Sequence, residues 1–160
     1  MSVATVASHT EPEQPRLPLP ERPPVAPAAV SLLNEARHGL AEAEQAADPV
    51  TKFITSYLAA LRAGAAVLAA RGRPHRGRAR PASVWVLLET AAPELAEWSS
   101  YFAANSAARA AAQAGITRRI TERSAAQLCQ QAGRFVELAG RVVHPRGDTA
   151  RPARAKVQRR

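Results

Sequence analysis

Residues 84–103 read VWVLLETAAPELAEWSSYFA and hold four of the chain's seven aromatic residues: Trp85, Trp98, Tyr101 and Phe102. Either they form a stacking platform for a ligand or they are the packed centre of a small domain. Spacing favours packing. Leu95, Trp98 and Phe102 recur at three and four residues, one face of a helix, and Tyr101 flanks that face. Trp85 and Leu88 share a face of the segment before Pro93. Charge points the same way. The acids Glu89, Glu94 and Glu97 lie among these rings, whereas a platform for nucleic-acid bases sits in a positive groove. On this reading Trp98→Ala costs about 3–5 kcal/mol.

The same periodicity extends outward. Val30, Leu33, Ala36, Leu40, Ala43 and Ala47 predict a helix over about 28–47. Asp48-Pro49 reads as an N-cap followed by the first helical residue, opening a second helix over about 49–70. Its apolar face carries Phe53, Tyr57, Leu61, Ala65 and Leu68. Ser83 caps a third helix, 84–91. Pro93 forces a break, because the residue before a proline is pushed away from helical angles. A fourth helix follows to about Ala114, where Gly115 ends it, and Thr121 caps a fifth over 122–143 bearing Leu128 and Phe135. No run alternates like a strand with a partner to pair with. The expected fold is therefore all-α: a single antiparallel bundle of about five helices over 27–143. A Pro-rich arm (1–26) and a basic tail (144–160) are both expected to be disordered. The core expected from these patterns is Phe53, Tyr57, Leu61, Trp85, Leu88, Leu95, Trp98, Phe102, Leu128 and Phe135.

Alanine supplies 37 residues, about half of the 46% apolar fraction. It is the best helix former but removes little area from water. Few large side chains must then hold the core, and pairing with a second copy would bury more surface, so a homodimer is among the expected partners.

The formal charge of +9 is unevenly placed. RGRPHRGRAR (71–80) has five arginines and no acid, and the tail has six basic residues against Asp148. Residues 27–70 and 81–143 together balance nine basic against nine acidic groups. Charge so segregated speaks of partners rather than of fold. Arg71, Arg73, Arg76, Arg78 and Arg80 are the candidate contacts to RNA, DNA or another polyanion, since guanidinium groups bind phosphate in bidentate fashion. Arg118, Arg119 and Arg123 form a smaller cluster, read as a solvated connector.

Chemistry is sparse. The four histidines are isolated from one another, and no His-x3-His or His-Glu-x2-His pair offers a metal site. The one cysteine, Cys129, excludes an internal disulfide and a cysteine-based zinc cluster. No glycine-rich phosphate loop is present. No catalytic residue, metal or cofactor is assigned. With neither a secretory leader nor an uncharged run of membrane-spanning length, a cytoplasmic location and no membrane partner are expected.

The blocks LLNEARHGLAEA, YLAALRAGAAVLAARGRP, SVWVLLETAAPELAEW with YFAA, and AGITRRITERSAAQL together resemble short actinobacterial-type HEPN-domain proteins, over about residues 30–143. The resemblance implies a helical bundle, a fold often dimeric. Many members are metal-independent ribonucleases, or partner nucleotidyltransferases in toxin–antitoxin and defence systems. The ribonuclease signature is Arg-x4–6-His. Here Arg71 precedes His75 with three residues between, and Arg141 precedes His144 with two. Neither fits, so a non-catalytic binding or regulatory module is the leading expectation. A ribonuclease using Arg71 and His75, or an adaptor for a protein partner, stands as the alternative.

Overall fold

The computed structural model describes residues 24–72 and 82–145. Five α-helices carry the chain: α1 (Pro27–Gln45), α2 (Pro49–Arg71), α3 (Val84–Ala91), α4 (Ala96–Gln113) and α5 (Glu122–Val143), with a 3-10 turn (Pro93–Leu95) leading into α4. No strand occurs among the described residues.

Each boundary has a local cause. Asp48 accepts the Thr51 N–H at 2.8 Å, and this bond, made to the ionised carboxylate, holds its pKa below the usual range. Ser83 accepts from the Val86 N–H at the start of α3. Ala92 has φ −142 and ψ 72, which separates α3 from the turn at Pro93. Gly115 takes φ +84 at the end of α4. There the Ile116 N–H donates to the Ala111 carbonyl (2.8 Å) and the Gly115 N–H to that of Ala112 (3.0 Å), the paired bonds of a Schellman ending. Thr121 and Ser124 cap α5 reciprocally, each side chain accepting the other's backbone N–H.

Helix α2 is the axis of the bundle and packs against all four other helices. By length and composition it alone among the described residues could cross a membrane, with a mean hydropathy of 1.5 over its most apolar window. Lys52 and Arg62 interrupt it, so it is not an uncharged run of membrane-spanning length. The apolarity has another cause: α2 is enclosed on most sides, burying residues from Phe53 to Leu68.

Helix α1 buries Ala29, Leu33, Ala36, Gly39 and Ala43. The buried line is thus rotated from the expected stripe: Val30 and Leu40 are half-buried, and Ala47 lies exposed beyond the helix end. Close approach explains the shift. A Cβ on Gly39 would lie 3.7 Å from Ala59 Cβ and 3.3 Å from Arg62 Nη1, so the smallest residues face α2 and the larger ones flank them.

The rings meet where α2, α3, α4 and α5 converge. Trp85 stacks on Phe102 (5.1 Å between centroids, 20° between planes), meets Tyr57 edge-on (6.1 Å, 77°) and lies 6.0 Å from Phe135. Its indole N–H donates to the Tyr57 hydroxyl at 2.8 Å within the buried core. Helix α2 accommodates the indole at Gly64, where a Cβ would come within 3.2 Å of Trp85 Cζ3 and 3.0 Å of Val84 Cγ1. Phe53, Tyr57, Trp85, Leu88, Leu95, Phe102, Leu128 and Phe135 are buried. Leu61 and Trp98 are half-buried instead, at the margin of the core. Helix α4 enters the bundle through Ser99 and Phe102, which leaves Trp98 on its flank, stacked on Phe102 (6.3 Å, 19°) and tilted against Phe135 (5.7 Å, 31°). Leu61 follows the fully buried Ala60 and is turned off the enclosed face of α2.

The largest truncation cost therefore moves from Trp98 to Phe102. In urea unfolding, Phe102→Ala is expected to cost about 3–5 kcal/mol, and Trp98→Ala clearly less. Tyr57→Phe leaves the Trp85 N–H without its acceptor and is expected to cost about 1–3 kcal/mol.

Candidate nucleic-acid interface

Four packing contacts fix the helix directions. Arg62 Nε lies 3.8 Å from Glu35 Oε2, and Ala59 faces Gly39, so α1 and α2 are antiparallel. A Cβ on Gly133 would lie 3.7 Å from Leu40 Cδ2, and one on Gly140 3.9 Å from Leu33 Cδ2, so α5 is antiparallel to α1 as well. Helices α2 and α5 are therefore parallel, with their first turns sharing a cavity lined by Pro49, Lys52, Glu122 and Ala125.

The consequence is topological. The C-terminal ends of α2 and α5 and the N-terminal end of α1 lie at one end of the bundle. The chain enters the Arg-rich stretch at Arg71 and the basic tail at His144, both from this end. Two segments distant in sequence, which hold the protein's excess positive charge, are thus rooted side by side. Helix C-termini carry partial negative charge, so an anion bound here must be held by side chains rather than by the ends of α2 and α5.

Of the five candidate arginines, Arg71 is within the described residues; Arg73, Arg76, Arg78 and Arg80 lie outside them. Arg71 is already engaged. It forms an ion pair with Glu94 and donates from Nη1 to the Ala91 carbonyl at 3.4 Å, joining the end of α2 to the α3–α4 corner. The bond from Arg71 keeps the Glu94 carboxyl below its ordinary range. Glu89 and Glu97 are exposed near that corner, so the α3–α4 side of this end is acidic. Arg141 and His144 are exposed on the α5 side, which leaves that side open to a polyanion.

The aromatic rings take no part in this surface. They are interior, apart from the flank positions of Trp98 and Tyr101, and burial pushes the Tyr101 hydroxyl pKa up. The guanidinium carbon of Arg109 lies 5.5 Å from the Tyr57 ring centroid, a cation–π contact that spacing alone did not reveal. Its Nε is buried without a hydrogen-bond partner among the described residues.

No catalytic constellation forms among the described residues. His38 is exposed and pairs with Glu42 at 3.4 Å, and His144 is exposed at the end of α5. No group of three or more His, Cys, Asp or Glu side chains is placed to hold a metal among them. His9 and His75 lie outside the described residues, as do the arm before residue 24 and the tail after residue 145.

A protein-family model, HEPN_SAV_6107-like HEPN, matches residues 43–140, more than half of the chain. The chain belongs to the HEPN_SAV_6107-like HEPN family. The match runs from the last turn of α1 through nearly all of α5, so LLNEARHGLAEA lies almost wholly before it, while the tryptophan-bearing block lies inside. No curated protein and no solved structure matches the chain. The HEPN bundle is helical, in keeping with the architecture described here.

The Arg71–Glu94 bond is open to direct titration. The folded Glu94 pKa is depressed from an ordinary value near 4.5. Its contribution to stability is complete above that value and is lost as pH falls through the lower folded pKa. Arg71→Gln is expected to return the Glu94 pKa, followed by carboxyl-carbon NMR, to the ordinary range. An unchanged pKa would mean the pair does not form in solution.

Proposed function

We propose that this HEPN protein is a non-catalytic binding and regulatory module that contacts RNA or DNA with the arginines rooted at the shared end of α2 and α5. One observation carries the reading: parallel packing of α2 and α5 puts the start of the Arg-rich stretch beside the start of the basic tail. Charges that would act separately in sequence then act on one stretch of phosphate backbone. Nine basic and nine acidic groups balance over 27–70 and 81–143, so the remainder of the molecule adds little attraction of its own. Contacts of this kind are sequence-independent and salt-dependent, because each neutralised phosphate releases counterions.

The position of Arg71 weighs against the ribonuclease alternative. A catalytic arginine must be free to meet the substrate, and this one is held by Glu94 and the Ala91 carbonyl. It is also one residue too close to His75 for the family's signature.

Fluorescence anisotropy of labelled single-stranded RNA and duplex DNA across a salt series tests the proposal. Affinity is expected to fall linearly with salt on logarithmic axes. Replacing Arg73, Arg76, Arg78 and Arg80 together by Gln should weaken binding and flatten the slope by about 3. The RNA should be recovered intact. Salt-insensitive binding, or none, removes the nucleic-acid reading; cleavage abolished by His75→Ala removes the non-catalytic one.

A further inference from the structure

The connector between α4 and α5 lies at the end of the bundle away from the basic segments. Arg71 at the end of α2 meets Glu94 at the start of α4, and Tyr57 early in α2 meets Arg109 late in α4, so these two helices are antiparallel. The end of α4 and the start of α5 therefore share one end of the molecule. The basic end is about 33 Å away, the length of α5 at 1.5 Å per residue.

Two isoleucines of this connector, four residues apart, have opposite surroundings. Ile120 is half-buried and packs against the core, whereas Ile116 is 62% exposed. The residue at the position of Ile116 in a Schellman ending ordinarily packs back on the last turns of its helix. Here the facing side chains are Ala107, Ala108 and Ala111, and they leave a hollow of about 380 Å³ that Ile116, Arg118 and Arg119 also line. The hollow is preformed. The bond from the Ile116 N–H to the Ala111 carbonyl fixes one side, and that from the Ile120 N–H to the Thr117 carbonyl (3.0 Å) closes a turn with Arg118 and Arg119 at its corner. The reciprocal cap of Thr121 and Ser124 then ties the connector to α5.

The walls specify the occupant. The apolar lining is aliphatic, with no aromatic ring on which a base could stack. Arg118 and Arg119 are exposed, and neither has an ion-pair partner among the described residues. No acid occurs between Glu97 and Glu122 to neutralise them locally. A phosphate chain would meet the two guanidinium groups and leave the isoleucine unused. A second copy presenting the same surface would set arginine against arginine. A peptide segment with a bulky apolar residue flanked by carboxylates satisfies both halves of the site.

We propose that this hollow docks an acidic segment of a partner protein. A bulky apolar side chain of that segment enters between Ile116 and the alanines of α4, and its carboxylates pair with Arg118 and Arg119. The surface is separate from the basic end, so the inference stands independently of nucleic-acid binding there.

The chain has three isoleucines, Ile54, Ile116 and Ile120, so isoleucine-methyl NMR of the full chain reads the hollow directly. The probe is a short synthetic helical peptide of glutamate and leucine, with lysine-for-glutamate and alanine-for-leucine analogues beside it. The acidic peptide is expected to shift the Ile116 signal saturably and to leave that of Ile54 in place. Each analogue should bind at least about tenfold more weakly. Arg118→Glu combined with Arg119→Glu should abolish the response to the acidic peptide and confer one to the lysine analogue. Both residues are exposed, so the helical circular dichroism should persist. An unmoved Ile116 signal, equal binding of all three peptides, or a response that survives the charge reversal overturns the proposal. So does a saturable Ile116 shift with single-stranded RNA, which would make the occupant nucleic acid, or one on concentrating the chain alone, which would make it a second copy.

Discussion

The hydrogen bond from the Trp85 indole to the Tyr57 hydroxyl organises the rest of the structure. It joins α3 to the central helix at a point where neither group meets water. A buried N–H left without an acceptor is expensive, so the pairing selects one seating for the indole among those that shape alone would allow. From that seating follow the stack on Phe102, which orients α4, and the contact with Phe135, which brings in α5. Gly64 is part of the same arrangement, since any side chain there would crowd the indole.

The remainder of the interior is held by proximity rather than bulk. Ala29, Ala36, Gly39 and Ala43 are buried on α1, and Gly39 lies against Ala59 of α2. Alanine adds little hydrophobic free energy per residue, but it lets two backbones approach and gain dispersion contacts along their length. Small groups fill one side of the bundle and rings the other. Truncating a ring therefore removes far more buried surface than truncating any one alanine.

Much of this architecture was legible in the sequence because its boundaries are written in chemistry that acts locally. Asp48, Ser83, Pro93, Gly115 and Thr121 each act within a turn of their own position, and the limits of α3 and α5 follow from them. What escaped the sequence depends on which helix lies opposite. The burial stripe of α1 is rotated because α2 selects its smallest face, and Trp98 lies on a flank because Ser99 and Phe102 take the interior positions. Arg71 read as one of five equal arginines; its engagement by Glu94 depends on a corner 23 residues away. The apolar character of α2 was diluted in sequence by Lys52 and Arg62, and its cause emerged only with the four helices around it. For the candidate interface, charge was visible in the sequence. The convergence of two basic segments on one end was not, because it requires knowing that α2 and α5 run parallel.

The two indoles occupy different surroundings, and this gives the protein a built-in optical gauge. Trp85 is enclosed and hydrogen-bonded, whereas Trp98 is only half-buried. Their emission should accordingly split into a blue component that collisional quenchers scarcely reach and a redder one that they do. The first reports on the convergence of α2, α3, α4 and α5, the second on the flank of α4, so loosening of that flank is distinguishable from loss of the interior without any attached dye.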